Sequence, residues 1–529
     1  MVVGGPIWTM DPARPLVQAL AVREGRVLAL GGVAEVQRFQ GSRTRVLDLG
    51  GGLAVPGLTD AHAHLIGLGA ELEEVDLRGA ASIEEVVARV QKGAPPEGWV
   101  LGRGWDQNLW PGGAMPTHDA LTAAFPERPV WLRRVDGHAG WANRAALQVA
   151  GITARTPAPQ GGEISVRDGA AGREPTGLLV DAAMLLMPVP APSRETLRRR
   201  ALQAQARVLP LGLTGVHEMG VGREVDAVLR ELAAAGELQL RMTGYADADW
   251  WSRHLVEAGP SSGLPELAGL DDRYALVGVK LYVDGALGSR GAALLAAYDD
   301  RPGHRGALQH TQAQLDALVL AAVRGGWQVA AHAIGDAAIR GVLDALAAAR
   351  SAVPRADPRL RVEHAQIVDL ADVPRFARLG AVASMQPTHA TSDMAWVPAR
   401  IGATRLPGAY AWRRFLDARV PLAFGSDFPV EQPAPSLGLQ AAVTRQDARA
   451  QPPGGWLPDQ RLTLYEAVAG FTTGAAFAAA QQSWRGRLAR GMAADLSCFH
   501  DDLRMQPSAA LGAASVRATV IAGRVAWEA

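Results

Sequence analysis

From about residue 205 to 430, short β-branched runs ending in polar residues alternate with longer Ala/Leu-rich stretches. The runs are 213–219 (LTGVHEM), 239–246 (QLRMTGYA), 277–283 (VGVKLYV), 327–332 (WQVAAH), 360–364 (LRVEH), 381–386 (AVASMQ) and 420–427 (VPLAFGSD). A similar run, 55–64 (VPGLTDAHAH), precedes them. The stretches between most of them, such as 312–324 and 337–350, read as helices. Strand–helix alternation implies an α/β fold with a parallel sheet, and eight strands imply a closed (β/α)₈ TIM barrel.

Two segments break the rhythm. Residues 1–54 and about 485–529 are strand-like with turn residues, and read as one small β-sandwich domain built from both chain ends. The stretch from about 70 to 205, after the first barrel strand, is far too long for a loop. It holds Trp99, Trp105, Trp110, Trp131 and Trp141, five of the fourteen tryptophans, and reads as an inserted subdomain. The barrel with its insert then spans 55–484.

Charge narrows the function classes. The 529 residues carry 53 basic and 53 acidic side chains, so there is no basic footprint for nucleic acid and no acidic tail. The run 194–200 (RETLRRR) reads as a solvated helix face. A single cysteine, Cys498, rules out an intrachain disulfide or a cysteine metal cluster and reads as a small packed hydrophobe. No signal peptide or membrane span is evident, so the expectation is a cytoplasmic protein with no nucleic-acid or membrane partner. Lysine occurs only at Lys92 and Lys280; every other basic residue is arginine. The lysine kept inside the apolar run 277–283 therefore asks for a chemical reason.

Barrel chemistry sits at the C-terminal ends of the strands. The first run ends in Asp60-Ala-His62-Ala-His64. A period of two puts His62 and His64 on one side of a strand, and neutral imidazoles suit Zn²⁺ and similar ions. The plainer alternative is two packed or solvated histidines. Lys280 lies in the fourth strand, His332 and His364 end the fifth and sixth, and Asp427 ends the eighth. Singly, the histidines read as structural and Asp427 as a helix cap. Together they point to a metal site. His217 falls outside this set and reads as supporting or structural.

The pieces PGLTDAHAHL, VDGHAGWAN, VKLYVDGALGSR, AAHAIGD, RVEHAQ, GSDFPV and GRLARGMAADL, between residues 55 and 496, carry a resemblance. The N-terminal TMDPARPLVQALAVREGRVLALGG fits it too. The chain resembles the amidohydrolase superfamily, most closely its YtcJ-like branch (amidohydrolase family 3), among metal-dependent N-acyl and N-formyl amide hydrolases. The resemblance implies two divalent metal ions. His62, His64 and Asp427 would hold the more buried one, His332 and His364 the other. Lys280, carboxylated by CO₂ to a carbamate, would bridge them. A carbamate needs an amine that can lose its proton in a desolvated site, which arginine cannot offer. Zn²⁺ suits these donors, and Mn²⁺, Fe²⁺ or Co²⁺ would fit them as well. Two ions roughly 3.5–4 Å apart can share a hydroxide, with Asp427 as the catalytic proton carrier.

The same resemblance suggests substrate contacts. His138, in DGHAGWAN with Asp136, Trp141 and Asn143, could reach a substrate from the insert; the rival reading is a surface loop. Asp284 and Arg290 follow the fourth strand and could shape the pocket. Trp105 is weighed as a stacking surface against insert core, and Asp336 as a helix cap against a partner for a ligand histidine. The reading that results is hydrolysis of a non-peptide carbon–nitrogen bond in a small-molecule amide. An esterase, lactonase or phosphotriesterase would use the same machinery. A mononuclear deaminase would lack the fourth-strand lysine, and a non-catalytic scaffold would have lost ligands that are all present here. Barrel enzymes of this kind often pair, which makes a homodimer an expectation.

Overall fold

The structure is a computed structural model that describes the chain except residues 136, 138, 160–161, 170–171, 261–272 and 355–356. It divides into two compact units, residues 1–65 with 201–529, and residues 66–200.

The first unit contains an eight-stranded parallel sheet. Its strands are Leu58–Ala63, Leu213–Val221, Arg241–Asp247, Tyr274–Tyr282, Gln328–Ala333, Arg361–His364, Val382–Met385 and Leu422–Phe424, each paired to the next in chain order. Each overlaps one of the eight runs read from the pattern, with ends that differ by a few residues. Between the last and first strands the ladder stops. There Asp427 N–H donates to His62 O at 2.7 Å and His64 N–H to Phe428 O at 2.8 Å, so the barrel is nearly closed. The strands are buried on both faces, as sheets wrapped by helices require.

The helices follow from local rules. Gln312–Arg324 begins with a capping box, in which Thr311 and Gln314 each satisfy the other's backbone N–H. Asp336–Ala352 lays Ile339, Val342, Leu343 and Leu346 into the core, which is the spacing of one helix face. Each such side chain contributes about 1.5–3 kcal/mol on full burial. Among the described residues no helix is long and apolar enough to cross a membrane.

Both chain ends belong to this unit and interleave. A four-stranded sheet has the order Arg26–Gly31, Ala19–Arg23, Val2–Val3, Leu47–Asp48. A six-stranded sheet has the order Arg524–Glu528, Val516–Ile521, Leu496–Phe499, Ala54–Pro56, Ile7–Trp8, Leu16–Val17. Ile7, Leu20, Val27, Leu47, Leu496 and Val520 join one apolar cluster. Cys498 packs in that cluster, where burial pushes its thiol up to about 12.

The second unit holds a six-stranded sheet of its own, ordered Gly162–Gly169, Gly172–Asp181, Ala139–Ala142, Val130–Arg134, Val100–Trp105, Val75–Asp76. The helix Ile83–Gly93 starts where Ser82 accepts the Glu85 N–H, and it buries Val86 and Val90 one turn apart. Trp105, Trp110 and Trp141 pack on one another with ring centroids 5.8–6.2 Å apart.

Candidate metal centre

At the carboxyl ends of the first and eighth strands, backbone and side chains interlock. The buried Asp60 carboxylate accepts N–H bonds from His62 and Ser426, at 3.1 Å each, and the Ser426 hydroxyl at 2.6 Å. Burial raises its pKa to about 7. Gly425 is needed for this approach, since a Cβ there would lie 2.4 Å from Asp60 Oδ1. The chain then turns through Asp427 at φ 61°, a left-handed conformation that a non-glycine residue adopts at a cost of order 1–3 kcal/mol. This turn shortens the eighth strand to Leu422–Phe424 and directs the Asp427 carboxylate to the histidines. His364 also sits at positive φ, 72°. Strained backbone at two of the expected ligands is what a functional site leads one to expect.

His62, His364 and Asp427 offer ligand atoms within 4.8 Å of one another. His64 Nε2 lies 3.2 Å from Asp427 Oδ1, and His62 Nε2 lies 3.6 Å from the same oxygen. The His332 and His364 rings approach to 4.5 Å, and His364 and His62 to 4.7 Å. Lys280 is buried, with Nζ 3.3 Å from His62 Nε2. The structure therefore brings all six expected ligands into one cluster.

Three of the rings are oriented from behind. His62 Nδ1 meets Glu363 Oε2 at 2.6 Å, His64 Nδ1 donates to Met219 O at 3.0 Å, and His364 Nδ1 donates to Gln386 Oε1 at 3.0 Å. Each turns its Nε2 toward the centre, the arrangement by which second partners set the tautomer of ligand histidines. Glu363 is itself held by Arg361, whose Nε donates to Oε1 at 2.7 Å. Burial opposes the Glu363 charge, but Arg361 and His62 outweigh it and hold the carboxyl well below its ordinary range.

The electrostatics favour neutral imidazoles at His62, His332 and His364. Burial lowers His62 to about 4 and His332 to about 3, and drives His364 far down. Asp427 stays a carboxylate, because the neighbouring histidines overcome its burial. For His64 burial works downward, but Asp427 reverses it and raises the pKa. Burial also brings the Lys280 amine from 10.5 down to about 8, so deprotonation lies within reach.

The donors fit a cation. His64 turns its N–H toward Met219, so a neutral ring presents a lone pair to Asp427 Oδ1. Two acceptors 3.2 Å apart repel unless a proton or a metal ion stands between them. Among the described residues, Asp427 Oδ1 and His332 Nε2 are buried without a hydrogen-bond partner. The fit rests on imidazoles and a carboxylate, ligands suited to Zn²⁺, Mn²⁺, Fe²⁺ or Co²⁺.

Other residues raised by the sequence have separate places. Asp284 is buried and accepts N–H bonds from Ala293, Ile334 and Gly335 at 2.8–3.0 Å, 3.5 Å from His332 Nε2. It organises the loops beneath His332. Arg290 forks onto Asp300 at 2.9 and 3.1 Å. Asp336 accepts the Leu295 N–H at 2.7 Å, and Gly335 takes the cap position of the helix. Trp105 is buried in the second unit's core and donates to Leu132 O at 2.9 Å. His217 accepts from Arg361 at 2.8 Å, in a supporting position. His138 lies outside the described residues. Glu363, Gln386 and His389 join the site without having been singled out. Glu363 directly precedes His364, Gln386 ends the run 381–386, and His389 ends the QPTH that follows the seventh strand.

Comparison with known proteins places these residues in context. A model of the amidohydrolase family matches residues 45–526. YtcJ of Bacillus subtilis (strain 168) is 32% identical over 99% of this chain and 98% of its own. The N-substituted formamide deformylase of Arthrobacter pascens is 30% identical over 95% of this chain and 93% of its own. Among solved structures, an uncharacterized metal-dependent hydrolase of Pyrococcus horikoshii OT3 superposes with a TM-score of 0.80 at 28% identity, covering 96% of this chain and 98% of that one.

Proposed function

Since this chain belongs to the amidohydrolase family, we propose that it is a metal-dependent hydrolase of non-peptide amide bonds, acting on a small N-acyl or N-formyl amine. The observation that carries the reading is the convergence of His62 Nε2 and His64 Nε2 on the Asp427 carboxylate. The likeness to a formamide deformylase supports the choice of bond.

His62, His64 and Asp427 would hold one divalent ion and His332 and His364 a second, with a carboxylated Lys280 between them. When bound, such ions lower the pKa of water and polarise a carbonyl. Lys280 would become a carbamate when its neutral amine forms an N–C bond with CO₂ and releases a proton. The lowered amine pKa makes that neutral form accessible. Asp427, whose carboxylate meets the Nε2 atoms of His62 and His64, would take a proton from the attacking water and hand it to the leaving nitrogen. Glu363 and Gln386 keep their histidines facing the centre. We read the two terminal sheets as a β-sandwich and residues 66–200 as an insert after the first barrel strand.

Elemental analysis after metal-supplemented expression should find about two transition-metal ions per chain. A value near one would replace the bridged pair with a mononuclear site. Full activity without metal would overturn the proposal. A screen of N-acyl amines, N-formyl amines, esters and lactones should give its highest kcat/KM on an amide; a preference for esters or lactones would move the assignment.

A further inference from the structure

His389 has no part in the ligand set above, yet it faces the centre. It lies on the helix Pro387–Asp393, which follows the seventh strand, Val382–Met385. Only 8% of the residue is exposed. Its ring stacks on His364 with an interplanar angle of 9° and centroids 6.0 Å apart. Gln366 Nε2 lies 3.4 Å from Nδ1 and donates to it. A neutral ring that accepts at Nδ1 carries its proton on Nε2.

Among the described residues that Nε2 is buried without a hydrogen-bond partner. The nearest carboxylate oxygen, Asp427 Oδ2, stands 3.8 Å away, beyond hydrogen-bond range. An unpaired buried N–H is costly to keep, of the order that removing a hydrogen-bond partner imposes elsewhere. One aimed beside the proton-carrying carboxylate is a donor waiting for an acceptor. Preorganised donors of this kind act where negative charge develops on a carbonyl oxygen.

We propose that His389 is a catalytic residue whose Nε2–H hydrogen-bonds the scissile carbonyl oxygen of the substrate. This rests on the amide-hydrolase reading for its substrate, but not for its geometry. Gln366 fixes the tautomer, the His364 ring fixes the plane, and Asp427 beside it places the donor next to the reacting atoms.

The test separates donor, ligand and bystander. Nitrogen-15 NMR of histidine-labelled protein should show His389 protonated at Nε2; protonation at Nδ1 overturns the proposal. His389→Ala should keep the wild-type metal content by elemental analysis, lower kcat by about 10²–10³ and leave KM within about threefold. His389→Gln, which retains an N–H, should recover at least about tenfold of that loss. Wild-type kcat in His389→Ala overturns the proposal, and so does loss of metal, which would make His389 a ligand. If no amide is turned over by the wild-type enzyme, the substrate reading fails by itself. Calorimetry with a methylphosphonate monoester, an oxyanion mimic, still tests the donor. Its affinity should drop at least about tenfold in His389→Ala, and equal affinity refutes the donor role.

Discussion

Two charged clusters are buried in the same barrel, one at each end, and they are built on opposite terms. At the amino ends of the strands Arg241 forks onto Asp495 at 2.7 and 3.1 Å. Asp495 also accepts the Ala522 N–H at 2.8 Å. Arg485 reaches Thr59 and Gln481, and Gln481 continues to Thr243 at 3.1 Å. There Arg241 is met by an opposite charge and Arg485 by neutral acceptors. At the carboxyl ends, the Nε2 atoms of His62 and His64 meet a carboxylate, and among the described residues polar atoms of Asp427, His332 and His389 lack partners. A paired buried cluster is a structural joint, whereas acceptors facing acceptors are kept only where something else binds.

The largest effect should come from Lys280→Arg at the unpaired end. A guanidinium cannot form a carbamate and would bring a fixed positive charge to the metal positions. Activity should fall by more than about a thousandfold, at about 1.4 kcal/mol per tenfold. Wild-type turnover and metal content in this variant would end the carbamate account and erase the chemical half of the comparison.

Asp495→Asn probes the paired end. It removes the carboxylate onto which Arg241 forks in the interior and should destabilise the fold by about 3–5 kcal/mol, read as a lower urea midpoint. The folded fraction should keep its kcat. Acid sensitivity gives the same answer with a definite sign. Burial raises the Asp495 pKa, but Arg241 outweighs it, so the folded value lies below 3.8. The pair's contribution is then complete above that pH and is lost as the pH falls toward the lower folded value. Asp495→Asn should remove that part of the acid limb.

Glu363→Gln stands between the two ends, because Glu363 joins Arg361 to His62. Losing its charge should weaken metal binding about 10–100-fold, measured by competition with a chelator. Unchanged metal affinity would show that His62 needs no support from behind. The smallest effect belongs to Lys92→Arg. Lys92 is exposed in the last turn of Ile83–Gly93 in the second unit, and the change should stay within about 0.5 kcal/mol by thermal unfolding. A large loss there would mean that the scarcity of lysine says nothing special about Lys280.

By itself the sequence determined the barrel and the identity of the converging residues. Short β-branched runs between helical stretches mark strands because strand preference follows local side-chain shape and backbone geometry. His62-x-His64 share a side because successive side chains of a strand alternate. Where the pattern misled was at strand ends: 420–427 stops as a strand at Phe424, because Asp60, 366 residues away, captures Ser426. Only the tertiary structure decided which nitrogen of each histidine is free. Glu363 sits 301 residues from His62, Met219 155 from His64, and Gln386 22 from His364. It also decided that Asp284 supports loops and that His389 faces the centre. A tautomer, a pKa and an unpaired donor depend on what the folded chain brings within about 3–4 Å, and no spacing along the chain encodes that distance.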